Sequence, residues 1–322
     1  MGGLARRAGW IEQNRPEETP WLLLDAGDFL SREATVEYGE ELASLMLDLY
    51  DRMGYAAVNI GQAELALPVE TLSQALEQSG VKGVATNIHN SGTHVFSPST
   101  TVEVGHRRVT ILGVTSPGQA AKGAASIQPP GDAVKKALEE TESSSDLVVL
   151  LSNAGDKVDK RLAREFPAID LIVQSGVSLR RGRVEQVGST WILRSASKGK
   201  SVGRARVVFG PEGGVSEVVP QLEWLDDASL ASKDIEQELQ AFEKRTAGIT
   251  KSRQAQRTGP NPFVELLKRR QKELNSGNGT QVQGSKGTAD NPFLKLIQEM
   301  QKKQAQERGS LDTEEQPGGS KP

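Results

Sequence analysis

The chain has 322 residues, of which 36% are hydrophobic and 25% are charged, and its formal net charge is −3. Cysteine is absent, which excludes disulfide bonds and thiolate metal ligands. No run of about 18 consecutive apolar residues occurs, so the sequence predicts no transmembrane segment. Residues 251–322 hold 13 basic and 8 acidic side chains, whereas the rest of the chain is acidic. Because the two signs are mixed in that basic part, nucleic-acid binding is not expected.

Apolar runs of strand length alternate with helical patterns from residue 4 to about residue 224, which favours α/β layering. Several of the strands are apolar throughout, as expected where both faces of a sheet are buried. The last two are expected to be antiparallel and to finish the sheet, with "GPEGG" as a hairpin turn. Helices are predicted at 2–13, 39–54, 68–80, 132–143 and 160–167, and strands at 21–27, 56–61, 81–88, 106–117, 146–155, 170–176, 188–197 and 203–225.

Beyond Trp224 the composition changes. The sequence predicts a domain over 1–225, an amphipathic helix over 226–247, and a disordered tail over 248–322. Two similar segments in the tail, 261–273 and 291–303, each begin with Asn-Pro-Phe, which is typical of a helix start. They are predicted either to bind an unknown protein partner or to be transient helices without a role. The predicted partner-binding residues are Phe263, Leu266, Leu267, Phe293, Leu296 and Ile297.

The segments at the strand ends resemble the metallophosphoesterase (calcineurin-like) domain of the bacterial 5′-nucleotidase, UshA-like family. The resemblance covers about residues 2–210, and its segments follow the family's order. It implies a four-layer α/β/β/α sandwich that lacks its usual first strand and continues into a long helical or disordered tail. The segments are "GGLARRAGWIEQ", "WLLLDAGDFLS", "LYDRMGYAAVNIGQAEL", "VATNI", "GHRRVTILGVTSP", "DLVVLLSNAG", "DLIVQSGVS" and "RSASKGKSVGRARVVF".

Members of that family hydrolyse phosphate esters with two divalent metal ions. Two metals about 3.5–4 Å apart hold the attacking and leaving oxygens of such a reaction. The family supplies the ligands from Asp-x-His, Gly-Asp, Asn-His, a lone His and His-x-His. Carried onto this chain, the resemblance places Asp28 at the bridging aspartate, as a residual metal ligand. It places Gln62 and Asn153 at two further ligand positions, where each offers one amide oxygen.

The family's imidazoles are missing from the matching positions of this chain. Ala63 stands where the family has its transition-state histidine, and Gly176 and Ser178 replace the His-x-His pair. Glu64 matches an acidic residue that is not a metal ligand in the family. The Asp-x-His motif would precede Met1. The resemblance therefore assigns no catalytic residue to this chain.

The unmatched first strand leads to an expectation about the start of the chain. In the family fold this strand lies inside a buried sheet, and its loss would leave backbone groups unpaired. We therefore expect Met1 to be a late start, with the strand and an export signal encoded upstream. In that case the family suggests the periplasm or the cell envelope.

Two functions stay open at this point. The first is a degenerate 5′-nucleotidase-like domain without dinuclear-metal activity, which acts as a binding or assembly module and needs no cofactor. The alternative is an active phosphoester (nucleotide) hydrolase with a divalent metal, whose altered site is completed by residues upstream of Met1. Asp25 is predicted to satisfy backbone donors. The three histidines, His89, His94 and His106, match no family motif and are predicted to be surface or loop residues.

Overall fold

Helices and strands alternate in parts of the chain, as the hydrophobic pattern predicts, and runs of consecutive strands lie at 82–127 and 171–224. The structure is a computed structural model that describes residues 3–30, 32–90, 92–116, 125–141, 145–175, 184–194, 199–211 and 213–258. By their contacts, residues 1–257 form one unit. The predicted partner-binding residues of the tail, together with Gly176 and Ser178, lie outside the described residues.

Most predicted elements are present to within a few residues, but one helix begins at Arg32 instead of residue 39, and strands at 93–94, 99–104, 125–127 and 184–187 were not predicted. The helices are α1 (Leu4–Asn14), α2 (Arg32–Met53), α3 (Val69–Gln78), α4 (Pro130–Glu140), α5 (Asp156–Glu165) and α6 (Lys233–Thr258). The strands are β1 (Leu23–Asp25), β2 (Tyr55–Asn59), β3 (Lys82–Val84), β4 (Ile88–Asn90), β5 (Thr93–His94), β6 (Ser99–Val104), β7 (Arg107–Thr115), β8 (Ala125–Ile127), β9 (Leu147–Asn153), β10 (Leu171–Gln174), β11 (Val184–Val187), β12 (Thr190–Arg194), β13 (Ser201–Phe209) and β14 (Val215–Trp224).

Two sheets form the centre of the domain. The first has the order β1-β2-β3 and is parallel, and the second has the order β11-β12-β10-β9-β7-β6. In the second sheet β12, β10, β9 and β7 are parallel, and the two edge strands are antiparallel to their neighbours. Strands β13 and β14 pair with each other in a separate ribbon. The prediction that the strands at 188–197 and 203–225 finish the main sheet is therefore right for β12 and wrong for β13 and β14, which pair with each other up to the hydrogen bond from Gly210 N–H to the carbonyl oxygen of Gly214.

Three layers of apolar side chains separate four layers of secondary structure. Strand β9 shows this, since Val148 and Leu150 pack with the helices α4 and α5 on one face. Val149 and Leu151, on its other face, pack towards Ala57 of the first sheet. The helices α1, α2 and α3 cover the outer face of the first sheet. This is the α/β/β/α sandwich that the sequence predicts.

The two sheets approach each other closely near the carboxyl end of β2. The buried side chain of Asn59 donates from Nδ2 to the carbonyl oxygens of Ala26, at 3.1 Å, and Val114, at 3.0 Å. A Cβ atom on Gly113 would lie 2.5 Å from Asn59 Oδ1 and 2.6 Å from the carbonyl oxygen of Val84. Glycine at this position therefore permits the contact between the sheets.

Helix α6 begins at Lys233, seven residues later than predicted, and continues beyond the predicted boundary at residue 247. The late start has a local cause, because Asp226 Oδ1 accepts hydrogen bonds from the backbone N–H groups of Ala228 and Ser229. Such a turn competes with helix formation. The helix packs on α2 through Glu238, which pairs with Arg52, and Phe242.

Candidate functional site

Polar side chains gather where parallel strands of both sheets end. Asp28 follows β1, Gln62 follows β2, Ser116 follows β7, Asn153 ends β9, and Ser175 follows β10. Ligand sites of open α/β sheets lie outside the carboxyl ends of the strands. This group, which we call the Asp28 corner, is therefore the candidate site.

The backbone holds Asp28 in a left-handed conformation. Its φ is 59°, and Gly27 before it has a φ of 96°. Among residues other than glycine, aspartate and asparagine adopt this region most readily. The conformation brings Asp28 Oδ1 within 2.9 Å of the backbone N–H of Ala63, and Oδ2 within 2.9 Å of Asn153 Nδ2. Each oxygen of this carboxylate therefore accepts one N–H hydrogen bond.

The amide of Asn153 links three strand ends. Its Nδ2 also donates to Ser175 Oγ at 2.5 Å, and its Oδ1 accepts from the backbone N–H of Gln62 at 3.4 Å. The carboxylate oxygen accepts this hydrogen bond, so the nitrogen of the amide lies on the Asp28 side. Gln62 Nε2 in turn donates to Ser116 Oγ at 2.8 Å. The structure thus brings Asp28, Gln62 and Asn153 together, while their role as metal ligands stays a prediction.

Glu64 lies beneath the corner and has no exposed surface. Its Oε2 accepts from the backbone N–H groups of Asp28, at 2.9 Å, and Gly61, at 2.8 Å. Its Oε1 accepts from the N–H of Leu30 at 2.8 Å. Burial raises the pKa of Glu64 to about 8, although these hydrogen bonds act in the opposite direction. Glu64 therefore joins the turn after β1 to the turn after β2.

Asp25 accepts the backbone N–H of Gly27 at 3.0 Å, which agrees with the expected backbone contact. It also accepts the hydroxyl of Tyr50 at 2.9 Å and lies 3.5 Å from Arg7 Nη1. Arg7 donates to Tyr50 as well, at 2.8 Å, and to Tyr55 at 3.4 Å. Sequence reasoning missed this cluster because its members come from α1, β1, α2 and β2, and no local spacing signals it.

A second cluster of buried polar side chains lies behind the Asp28 corner. Sequence reasoning also missed this cluster. Asp159 accepts hydrogen bonds from Ser152 Oγ and Gln174 Nε2, and burial raises its pKa to about 6. Gln174 Oε1 accepts from Arg194 Nε at 3.0 Å, and Arg194 Nη2 pairs with Asp156 at 2.7 Å. This network ties together the carboxyl ends of β9, β10 and β12.

The histidines lie outside the Asp28 corner. His106 is exposed in the turn between β6 and β7, as predicted. His89 is only 6% exposed, and its ring lies next to that of His94, tilted by 41°. The prediction of a surface or loop position is therefore wrong for His89, because β4 pairs with strands on both sides and lies beside α4.

Metal-ligating residue types are sparse at the corner. In the described part of the chain, no group of three or more His, Cys, Asp or Glu side chains is arranged to hold a metal ion. The undescribed segments between the described ranges contain only Glu142 and Glu212 of these residue types.

Among the helices that the structure describes, none is long and apolar enough to cross a membrane.

Known proteins resemble this chain in sequence and in fold, although no protein-family model matches it. A 5′-nucleotidase of Bos taurus is 29% identical over 192 residues, which cover 54% of this chain and 32% of the bovine protein. The crystal structure of a 5′-nucleotidase precursor from Thermus thermophilus has a TM-score of 0.66 at 23% identity, covering 77% of this chain and 54% of that one. The calcineurin-like phosphoesterase YfkN from Bacillus subtilis has a TM-score of 0.64 at 16% identity, covering 76% and 89%.

The described residues therefore have the calcineurin-like phosphoesterase fold. More particularly, the chain contains a metallophosphoesterase domain of the 5′-nucleotidase-like kind. Both the predicted fold class and the predicted resemblance are confirmed. The chain spans about a third of the length of the curated relatives that it matches.

Proposed function

We propose that this 5′-nucleotidase-like domain is a binding or assembly module that does not carry out two-metal phosphoester hydrolysis. The hydrogen bonding of Asp28 carries the proposal. Both oxygens of this carboxylate, which matches the family's bridging ligand, accept N–H groups of the protein, from Ala63 and Asn153. Protein N–H groups, rather than further carboxylates or imidazoles, lie against this exposed carboxylate, which supports the proposal.

The residues at the corner do not fit a dinuclear metal centre. Two adjacent dications carry four positive charges, and the corner offers one carboxylate against them. Asn153 directs its Nδ2 at Asp28, and Gln62 directs its Nε2 at Ser116, so both amides present donors rather than ligand oxygens there. Hydroxyls and amides are weak ligands for hard cations unless carboxylates accompany them. No hydrolytic step is therefore derived for this corner.

The structural elements around the corner are retained even though its ligands differ. Glu64 fixes the turns after β1 and β2, and Asn59 joins the two sheets. Such a scaffold suits recognition, since it presents hydrogen-bond donors and acceptors on rigid strand ends. The repeats at 261–273 and 291–303 complete the proposal as the segments that bind a protein partner. Two copies in one chain would raise the affinity for a bivalent partner.

Hydrolysis assays test this proposal. Release of inorganic phosphate from AMP and from p-nitrophenyl phosphate would be measured with Mg²⁺, Mn²⁺, Co²⁺ and Zn²⁺ in turn. We expect the full chain and the Asp28→Ala variant to give the same rate as buffer alone. The alternative, an active phosphoester hydrolase, predicts a different result. Metal-dependent turnover that disappears in Asp28→Ala, and survives in the exposed control Asp234→Ala on α6, would overturn the proposal.

A further inference from the structure

A second polar site lies between the hairpin of β4 and β5 and the helix α4. It is a cavity of about 230 Å³ that shares no residue with the Asp28 corner. Its polar lining includes His89, His94, Asp132, Lys136 and Glu140. Neither the family motifs nor the proposed function uses these residues.

The hairpin register places the two histidines side by side. His89 of β4 and His94 of β5 are direct cross-strand partners, so their side chains leave the same face. Their ring centres are 4.1 Å apart, with an angle of 41° between the ring planes. The two imidazoles are therefore immediate neighbours in the wall of one cavity.

The Nδ1 atoms of this pair lack hydrogen-bond partners in the described part of the chain. Within the described part of the chain, Nδ1 of His89 and Nδ1 of His94 are buried and form no hydrogen bond. His89 is more than nine-tenths buried and lines the cavity. Buried polar atoms without a partner are rare in folded proteins, and an ion or a water commonly accounts for them. Two such atoms on adjacent rings at one cavity indicate a bound species.

The charged side chains that line the cavity are two carboxylates and one ammonium group. Asp132, Lys136 and Glu140 lie on successive turns of α4, and Lys136 pairs with Glu140 at 3.8 Å. Beside this pair, the carboxylate of Asp132 adds a further negative charge.

We propose that His89 and His94 together bind one divalent transition-metal ion of the zinc, copper or nickel class through Nδ1. Imidazole nitrogens suit these metals. Each ring would keep its proton on Nε2, and water would complete the coordination. The site has two side-chain ligands, fewer than the groups of three that are absent from the described residues. It is therefore an open site from which the metal ion can exchange. It is independent of the Asp28 corner, so either proposal can fail without the other.

Imidazole NMR of the ¹⁵N-labelled full chain tests the site, because the chain has three histidines. On titration with Zn²⁺ we expect the Nδ1 signals of His89 and His94 to shift together and to saturate at one equivalent. The exposed His106 serves as an internal control and should not respond. A response of His106 alone, or no response from any histidine, would overturn the proposal.

Calorimetric titration of variants with Zn²⁺ gives a second measurement. His94→Gln is the preferred variant because His94 is half-buried, whereas His89 lies in the core of its hairpin. Losing a group that only supports a metal ligand typically weakens metal binding at least about tenfold. Loss of the ligand itself should weaken Zn²⁺ binding by at least as much. The control His106→Gln should bind Zn²⁺ as the wild type does. Equal affinity of His94→Gln and the wild type would refute the two-histidine site.

Discussion

Glu64→Ala is expected to lower the free energy of unfolding by about 3 kcal/mol or more. The substitution leaves the backbone N–H groups of Asp28, Leu30 and Gly61 without their acceptor. A buried donor left unpaired costs about 1–3 kcal/mol. Urea denaturation of the two proteins, followed by circular dichroism, measures the difference.

Glu64→Gln is the matched control for this substitution. Its single carbonyl oxygen can still accept from Asp28 and Gly61, so one hydrogen bond is lost instead of three. We expect its stability to lie between those of the wild type and Glu64→Ala. If the alanine variant proved as stable as the glutamine variant, the role of Glu64 in joining the two turns would be refuted.

The pH dependence of stability gives a second readout of Glu64. Its pKa rises from the usual 4.5 to about 8 on folding, so between these values the folded state keeps a proton that the unfolded chain has released. Its contribution to stability is therefore full below pH 4.5 and is lost as pH rises to about 8. The slope is at most about 1.4 kcal/mol per pH unit. Glu64→Gln should lack this component.

Gly113→Ala is expected to destabilise the domain by about 3 kcal/mol, the upper end of the usual cost of overpacking. The new methyl group would lie 2.5 Å from Asn59 Oδ1 and 2.6 Å from the carbonyl oxygen of Val84. Neither atom can move easily, because Asn59 is held by two hydrogen bonds and Val84 is part of the backbone of β3. The two sheets would have to separate locally.

Gly214→Ala is the control for this effect. A Cβ atom at Gly214 would have no neighbour within 4 Å, so its stability should stay within about 0.5 kcal/mol of the wild type. Thermal denaturation of both variants makes the comparison. A similar stability for the two variants would show that the close contact between the sheets at Gly113 is absent.

Much of the fold could be predicted from the sequence because strand and helix patterns differ in period. The apolar run of β9 predicts its strand within a few residues, and the helical spacing at 39–54 predicts the part of α2 that follows its kink at Tyr38. The start of α6 was placed too early because the side chain of Asp226 forms a turn with the following backbone. The Gly-rich turn predicts the hairpin of β13 and β14, but its separation from the main sheet depends on tertiary contacts that no local pattern contains.

The candidate site was predictable in position but not in its bonding. The resemblance identified Asp28, Gln62 and Asn153 as positions that belong together, and the structure places them in one network. It did not reveal that Asn153 would turn its nitrogen to Asp28, because this depends on the folded geometry. The pairing of His89 with His94 likewise required the hairpin register.

Metal analysis of the purified full-length chain tests most directly whether the Asp28 corner holds a dinuclear centre. Protein equilibrated with Mn²⁺ and Zn²⁺ would be desalted and assayed beside Asp28→Ala and His94→Gln. We expect Asp28→Ala to retain the same amount of metal per chain as the wild type. Any metal that the wild type retains should be lost from His94→Gln. Two tightly bound equivalents of metal that persist in His94→Gln and disappear in Asp28→Ala would contradict the proposal that this domain is a non-hydrolytic module.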